Sequence, residues 1–157
     1  MLVVVAAWAT TPLHAQILTD LPPRAQEIRV DEMLGAMVAR NGTFIDERGQ
    51  PVSFDALLSR KLPIILTLNY SNCPGLCVAQ LSGLSSGVAG MRELQLGKDF
   101  LMVSVSLDPA ETDQQLQGMK ARYVAALGKE HNPEGWIFLR SNEASIEKLA
   151  DSVGFRY

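Results

Sequence analysis

The chain has 157 residues, a net charge of −3 and a pI near 5.4. That length fits one domain with a sizeable core, and the acidic balance offers no basic footprint, which argues against a nucleic acid partner. Composition is ordinary for a globular protein, without repeats or low-complexity tracts.

Met1 to Trp8 is apolar, and Ala9-Thr10-Thr11-Pro12-Leu13-His14-Ala15 follows before Gln16. This reads as the apolar region and small-residue cleavage site of a signal peptide over residues 1–15, cleaved after Ala15. The expectation is export, to the periplasm or the outer face of the cytoplasmic membrane. Because the charged leading segment of such peptides is missing, the expectation extends to a clipped or misassigned start, with an upstream membrane anchor lost. No stretch is long enough to span a bilayer. His14 belongs to this segment and is expected to be discarded with it.

Residues 16–42 contain Leu21-Pro22-Pro23 and then Ile28, Val30, Met33 and Leu34 with no clean period, which predicts an extended arm laid over the domain formed by residues 43–157. Phe44 to Val52 predicts a β-hairpin turning near Glu47 to Gln50. Ser53 to Leu58 predicts a short helix capped by Ser53.

Leu62 to Leu68 is almost wholly apolar, as expected of a strand covered on both faces. Cys77, Leu81, Leu84, Val88, Met91 and Leu94 then recur at helical spacing. Between them lies Asn69-Tyr70-Ser71-Asn72-Cys73-Pro74-Gly75-Leu76-Cys77, with both cysteines of the chain. Pro74 suits the first position of a helix, which makes Cys73 the expected cap and places Cys77 one turn on. Sulfurs so placed are close enough for a disulfide or to share one ion. Unpaired N–H groups at a helix start favour the thiolate, and Gly75 leaves one side of the pair open. The plainer readings are two buried small hydrophobes or a structural disulfide. A bridge across one helical turn constrains the unfolded chain little, so it is a poor staple.

Phe100 to Leu107 predicts a second apolar strand ending at Asp108-Pro109. Thr112 and Gln115 resemble a capping box, with Leu116, Met119, Tyr123 and Leu127 on the helix that follows. Gly128 to Gly135 reads as a polar loop, with His131 a solvated loop histidine. Trp136 to Leu139 predicts a third strand. Ser141 or Asn142 caps a helix with Ile146, Leu149 and Val153 inward and Gly154 at its end. Phe155-Arg156-Tyr157 begins an element that the chain does not finish.

Alternating strands and helices predict an α/β sandwich with a central, mostly parallel sheet. Reactive groups in such sheets gather at the C-terminal ends of the strands, so Cys73 and Asp108 are expected at one edge. The simpler reading of Asp108 is a turn residue before Pro109; the other is a carboxylate that tunes the thiols or takes a proton.

Asp46-Glu47-Arg48-Gly49-Gln50-Pro51-Val52, Leu66 to Cys77, and Val103-Ser104-Val105-Ser106-Leu107-Asp108-Pro109 together resemble the Sco/SenC family, thioredoxin-fold copper chaperones that help assemble the copper site of cytochrome c oxidase. The resemblance covers roughly Thr43 to Tyr157. It implies a thioredoxin-like fold, Cys73 and Cys77 as copper-ligating thiols, Asp108 as a nearby acidic residue, and a copper-site subunit of the oxidase, or another copper protein, as recipient. Two departures stand out. Many members carry an acidic residue where this chain has Gly75. The family's third ligand is a histidine beyond the third helix, near the last strands; no residue here matches it, and His131 is the wrong candidate. The chain is therefore expected to be incomplete at its C-terminal end.

Copper also follows from ligand chemistry. Paired thiolates are soft and favour Cu(I), and an added imidazole would let the site accept Cu(II). Zinc normally wants four ligands. Thiols lose protons on binding, so loading depends on pH; in an oxidising compartment the pair closes to a disulfide and a thiol reductant is needed first. The same cycle leaves two alternatives open. One is a thiol–disulfide oxidoreductase with Cys73 as nucleophile and Cys77 as resolving thiol. The other is a thiol peroxidase of the same superfamily.

Overall fold

The computed structural model describes residues 28–157. The expected signal peptide, His14 and the first part of the arm lie outside the described residues. In chain order the elements are β1 (Arg29–Val30), β2 (Phe44–Asp46), β3 (Pro51–Val52), α1 (Phe54–Leu58), β4 (Ile64–Asn69), α2 (Leu76–Ala89), β5 (Leu101–Ser106), α3 (Asp113–Val124), β6 (Trp136–Ser141), α4 (Glu143–Ser152) and β7 (Phe155–Arg156).

The main sheet has the order β3-β2-β6-β5-β4. β4, β5 and β6 are parallel, and the β2–β3 hairpin adds to β6 antiparallel. Each parallel step needs a crossover, and α2 and α3 supply them. Local chemistry sets the boundaries. In the hairpin turn, Asp46 Oδ1 accepts from the N–H groups of Arg48 and Gln50 at 2.9 and 2.8 Å, and Gly49 takes the left-handed conformation at φ 76°. Ser53 caps α1, Thr112 and Gln115 form the capping box of α3, and Asn142 caps α4.

All six residues of β5 are buried, because both faces are covered. Met102 packs with Leu81 and Val88 of α2, Leu116, Met119 and Tyr123 of α3, and Trp136 and Phe138 of β6. Val103 and Val105 point the other way, toward Phe44, Phe54, Leu57, Leu139 and Leu149. The result is a three-layer α/β sandwich. Ser104, in the middle of β5, is polar but satisfied: its Oγ lies 2.8 Å from Thr67 Oγ1 and accepts from Trp136 Nε1 at 2.9 Å.

Of the arm, β1 pairs antiparallel with β7, so Phe155-Arg156 closes a two-stranded sheet with it. Asp31 N–H donates to the Gly154 carbonyl at 2.8 Å. A Cβ on Gly154 would come within 1.9 Å of the Asp31 carbonyl oxygen, so only glycine lets the arm dock there.

Three expectations are corrected. Cys73 and Pro74 do not start α2: Pro74 and Gly75 form a turn, Gly75 is the cap and Leu76 the first helical residue. Proline suits a first turn, but here it opens the bend that sets Cys73 outside the helix. Second, the apolar stripe stops at Val88; Gly90 ends the helix, and Met91 and Leu94, beyond it, are exposed. Third, His131 is not solvated. It is buried, with Nδ1 accepting from Leu96 N–H at 3.2 Å.

Candidate functional site

β4 and β5 run in register from Ile64 opposite Leu101 to Asn69 opposite Ser106. Both strands therefore end at one level, and the loops that follow, Tyr70 to Gly75 and Leu107 to Thr112, leave the sheet side by side. Leu107 N–H donates to the Asn69 carbonyl at 2.9 Å and continues the pairing one step past the strands. Cys73 and Asp108 stand at this edge, as parallel strands require.

Cys73 and Cys77 are free, and each is partly exposed. Hydrogen bonding from the Cys77 thiol, and from the backbone N–H groups of Cys77, Gly75 and Leu76, holds the Cys73 thiol below its ordinary value. The Cys73 sulfur thus lies beside amides that a helix start leaves unpaired. Cys77 is shifted the other way. Burial pushes its thiol up, the Cys73 contact adds to this, and a backbone hydrogen bond with Tyr70 partly offsets it. One thiol is outermost and ready to ionise; its neighbour is recessed and holds its proton. Leu76, between them in sequence, is 82% exposed.

Asp108 is half-buried and serves its own turn: its N–H donates to Ser106 Oγ at 3.1 Å, and its Oδ1 accepts from Ala110 N–H at 2.8 Å. It also belongs to the site electrostatically. Burial, then the Asp108 carboxylate, then Cys77 raise the Tyr70 hydroxyl above its usual range. Tyr157 is raised by burial, then by Tyr70 and by Glu143, Glu147 and Asp151 of α4.

Two parts of this edge escaped the sequence reading. Tyr70 looked like a loop residue. Glu111, which no sequence motif singled out, is 4% exposed and accepts from Ser71 N–H at 3.2 Å, from Ser71 Oγ and from Ser106 Oγ. No periodicity marks such a residue. The one available hint was its place between the Asp108-Pro109 turn and the Thr112 cap, where the chain folds back toward the sheet.

Among the described residues no group of three or more His, Cys, Asp or Glu side chains gathers as a metal cage. His131 docks on the loop that precedes β5, at the opposite end of the sheet from the sulfurs. What the edge offers a metal is two free, neighbouring thiols, a donor set that suits a soft monovalent ion.

The fold and this edge define a thioredoxin-like α/β protein with a paired-thiol site after its first parallel strand. The SCO1/SenC family model matches residues 32–154, and the chain belongs to that family. Among solved structures it is similar to a proposed electron transfer protein from Aquifex aeolicus VF5, at a TM-score of 0.63 and 25% identity over 79% of this chain and 68% of that one. Bradyrhizobium japonicum ScoI with copper bound matches at a TM-score of 0.54 and 19% identity, over 74% and 67%. BsSco, a member of the Sco family of cytochrome c oxidase assembly proteins in which a disulfide switch was identified, matches at 0.51 and 20%, over 76% and 66%. The last two likenesses concern the fold. No curated protein matches the chain.

Proposed function

We propose that this protein is a copper metallochaperone that carries one copper ion on Cys73 and Cys77 and hands it to the copper-site subunit of cytochrome c oxidase, or to another copper protein, outside the cytoplasmic membrane. The observation that carries this reading is the pair of free cysteines one turn apart at an exposed helix start, near enough that each shifts the other's thiol. Family membership supports it, as do the copper-bound state of ScoI and the assembly role of BsSco.

Copper is cargo here. Loading Cu(I) replaces two S–H bonds by two S–Cu bonds and releases two protons. Cys73 is the entry point, because its thiol ionises first; Cys77 gives up its proton as the ion displaces the hydrogen bond between the sulfurs. Cu(II), which favours nitrogen and oxygen ligands, is held less well by sulfur alone. An oxidised pair must first take two electrons from a thiol reductant.

The asymmetry of the thiols favours a second reading, thiol–disulfide exchange with Cys73 attacking and Cys77 resolving; a thiol peroxidase would use Cys73 alone. Titrating the reduced protein with Cu(I) against a competing chelator separates them. About one copper retained per chain, lost in Cys73→Ala, is the expected result. A wild-type protein that retains none, yet reduces a disulfide-bonded test protein, overturns the chaperone reading.

A further inference from the structure

The loop from Tyr70 to Gly75 joins β4 to α2 and holds the outer sulfur. Ser71 of this loop donates twice to the Glu111 carboxylate, from its N–H and from its Oγ. The Glu111 carboxylate is buried and also takes Ser106 Oγ, at the last residue of β5. Ser106 Oγ in turn accepts from Asp108 N–H at 3.1 Å. The Glu111 side chain thus ties the cysteine loop, two residues before Cys73, to the end of β5, and Ser106 carries the connection on to the Asp108 turn. Asn72, Pro74 and Gly75 of the same loop are exposed.

We infer that Glu111 is the positioning residue of the sulfur pair: by pinning Ser71 to the rigid end of β5, it keeps Cys73 in reach of Cys77 and of the α2 amides. The inference rests on the reading that the two cysteines act together, whether on copper or on each other. The tie works by shape. A glutamine can keep it, with its carbonyl oxygen accepting from Ser71 N–H and Ser106 Oγ and its amide donating to Ser71 Oγ.

The test is the equilibrium of the Cys73–Cys77 disulfide in glutathione buffers, which needs no copper. Two glutathione thiols supply two electrons and two protons, the disulfide becomes two thiols, and the glutathione leaves as its own disulfide. Loosening the loop lowers the effective concentration of one thiol at the other. Glu111→Ala is therefore expected to make the disulfide about tenfold easier to reduce, equivalent to about 30 mV for this two-electron couple. Glu111→Gln should stay within about twofold of the wild type on the same scale. Should Glu111→Ala fail to fold, Ser71→Ala, in a surface loop, should move the equilibrium the same way by about threefold. A folded Glu111→Ala with a lower melting temperature and an unchanged disulfide equilibrium overturns the inference, and so does a Glu111→Gln as impaired as Glu111→Ala. Absence of copper binding in the wild type would sink the chaperone reading and leave this result standing.

Discussion

The two ends of the parallel sheet treat a histidine and a cysteine in opposite ways. Before β5 and β6, His131 is buried: Nδ1 accepts from Leu96 N–H, and Asn132 N–H donates to the Leu96 carbonyl at 3.0 Å. Gly135 packs so tightly there that a Cβ would come within 2.4 Å of Gly97 N. After β4 and β5, Cys73 stays partly exposed, its sulfur faced by amides and by a second thiol. A histidine is the better-known ligand, yet here its imidazole closes two loops over the core. A polar group that completes a packed end is committed to it; one that completes an open helix start remains exchangeable.

Four measurements would break or sharpen that contrast. The largest effect belongs beneath the closed end, where Trp136 is fully buried and stacks on Phe138 with ring centroids 5.3 Å apart. Trp136→Ala should destabilise by about 3–5 kcal/mol in denaturant unfolding, and a loss under about 1 kcal/mol would mean that this end is not packed as described. His131→Ala should cost about 1–3 kcal/mol, because Leu96 N–H is left buried without an acceptor. A neutral result would return His131 to the solvated loop.

Third in size is a difference in thiol reactivity. The Cys73 thiol lies below its ordinary value because of the Cys77 hydrogen bond and the helix amides, and the Cys77 thiol lies above because of burial. Alkylation of the reduced protein, followed by peptide mass across pH, should therefore label Cys73 first, with its rate rising at lower pH than that of Cys77. Equal profiles would remove the asymmetry. The signs for stability oppose one another. Cys73 contributes stability above the ordinary thiol value that is lost as pH falls through its depressed one. Cys77 contributes stability below the ordinary value that is lost as pH rises through its raised one. Smallest is the change expected for Cys73→Ser, within about 0.5 kcal/mol in unfolding, since the open end holds no packed core. A loss as large as that of His131→Ala would make Cys73 structural and erase the contrast.

Glu47 illustrates how a local pattern can place a residue correctly and still misjudge it. As part of Asp46-Glu47-Arg48-Gly49 it reads as an exposed hairpin turn, and the turn is there. Yet Glu47 is 5% exposed, paired with Lys120 of α3 at 2.6 Å, and accepts from Phe138 N–H at 3.3 Å. The partner lies 73 residues away, and no spacing rule connects them. The stripe through Met91 and Leu94 shows the converse: a period alone does not reveal that Gly90 has already ended the helix.

The strands, the caps at Ser53, Thr112 and Asn142, the α/β class and the sulfur pair are all written in short stretches of sequence. They depend on neighbours within one turn or one strand, where residue type decides backbone and side-chain direction. Which polar groups close the fold and which stay open to solvent was settled only in three dimensions, since burial at His131, Glu47 and Glu111 comes from elements distant in the chain. The same holds for Cys73, whose place outside α2 depends on the bend at Pro74-Gly75 and on where the ends of β4 and β5 bring its loop.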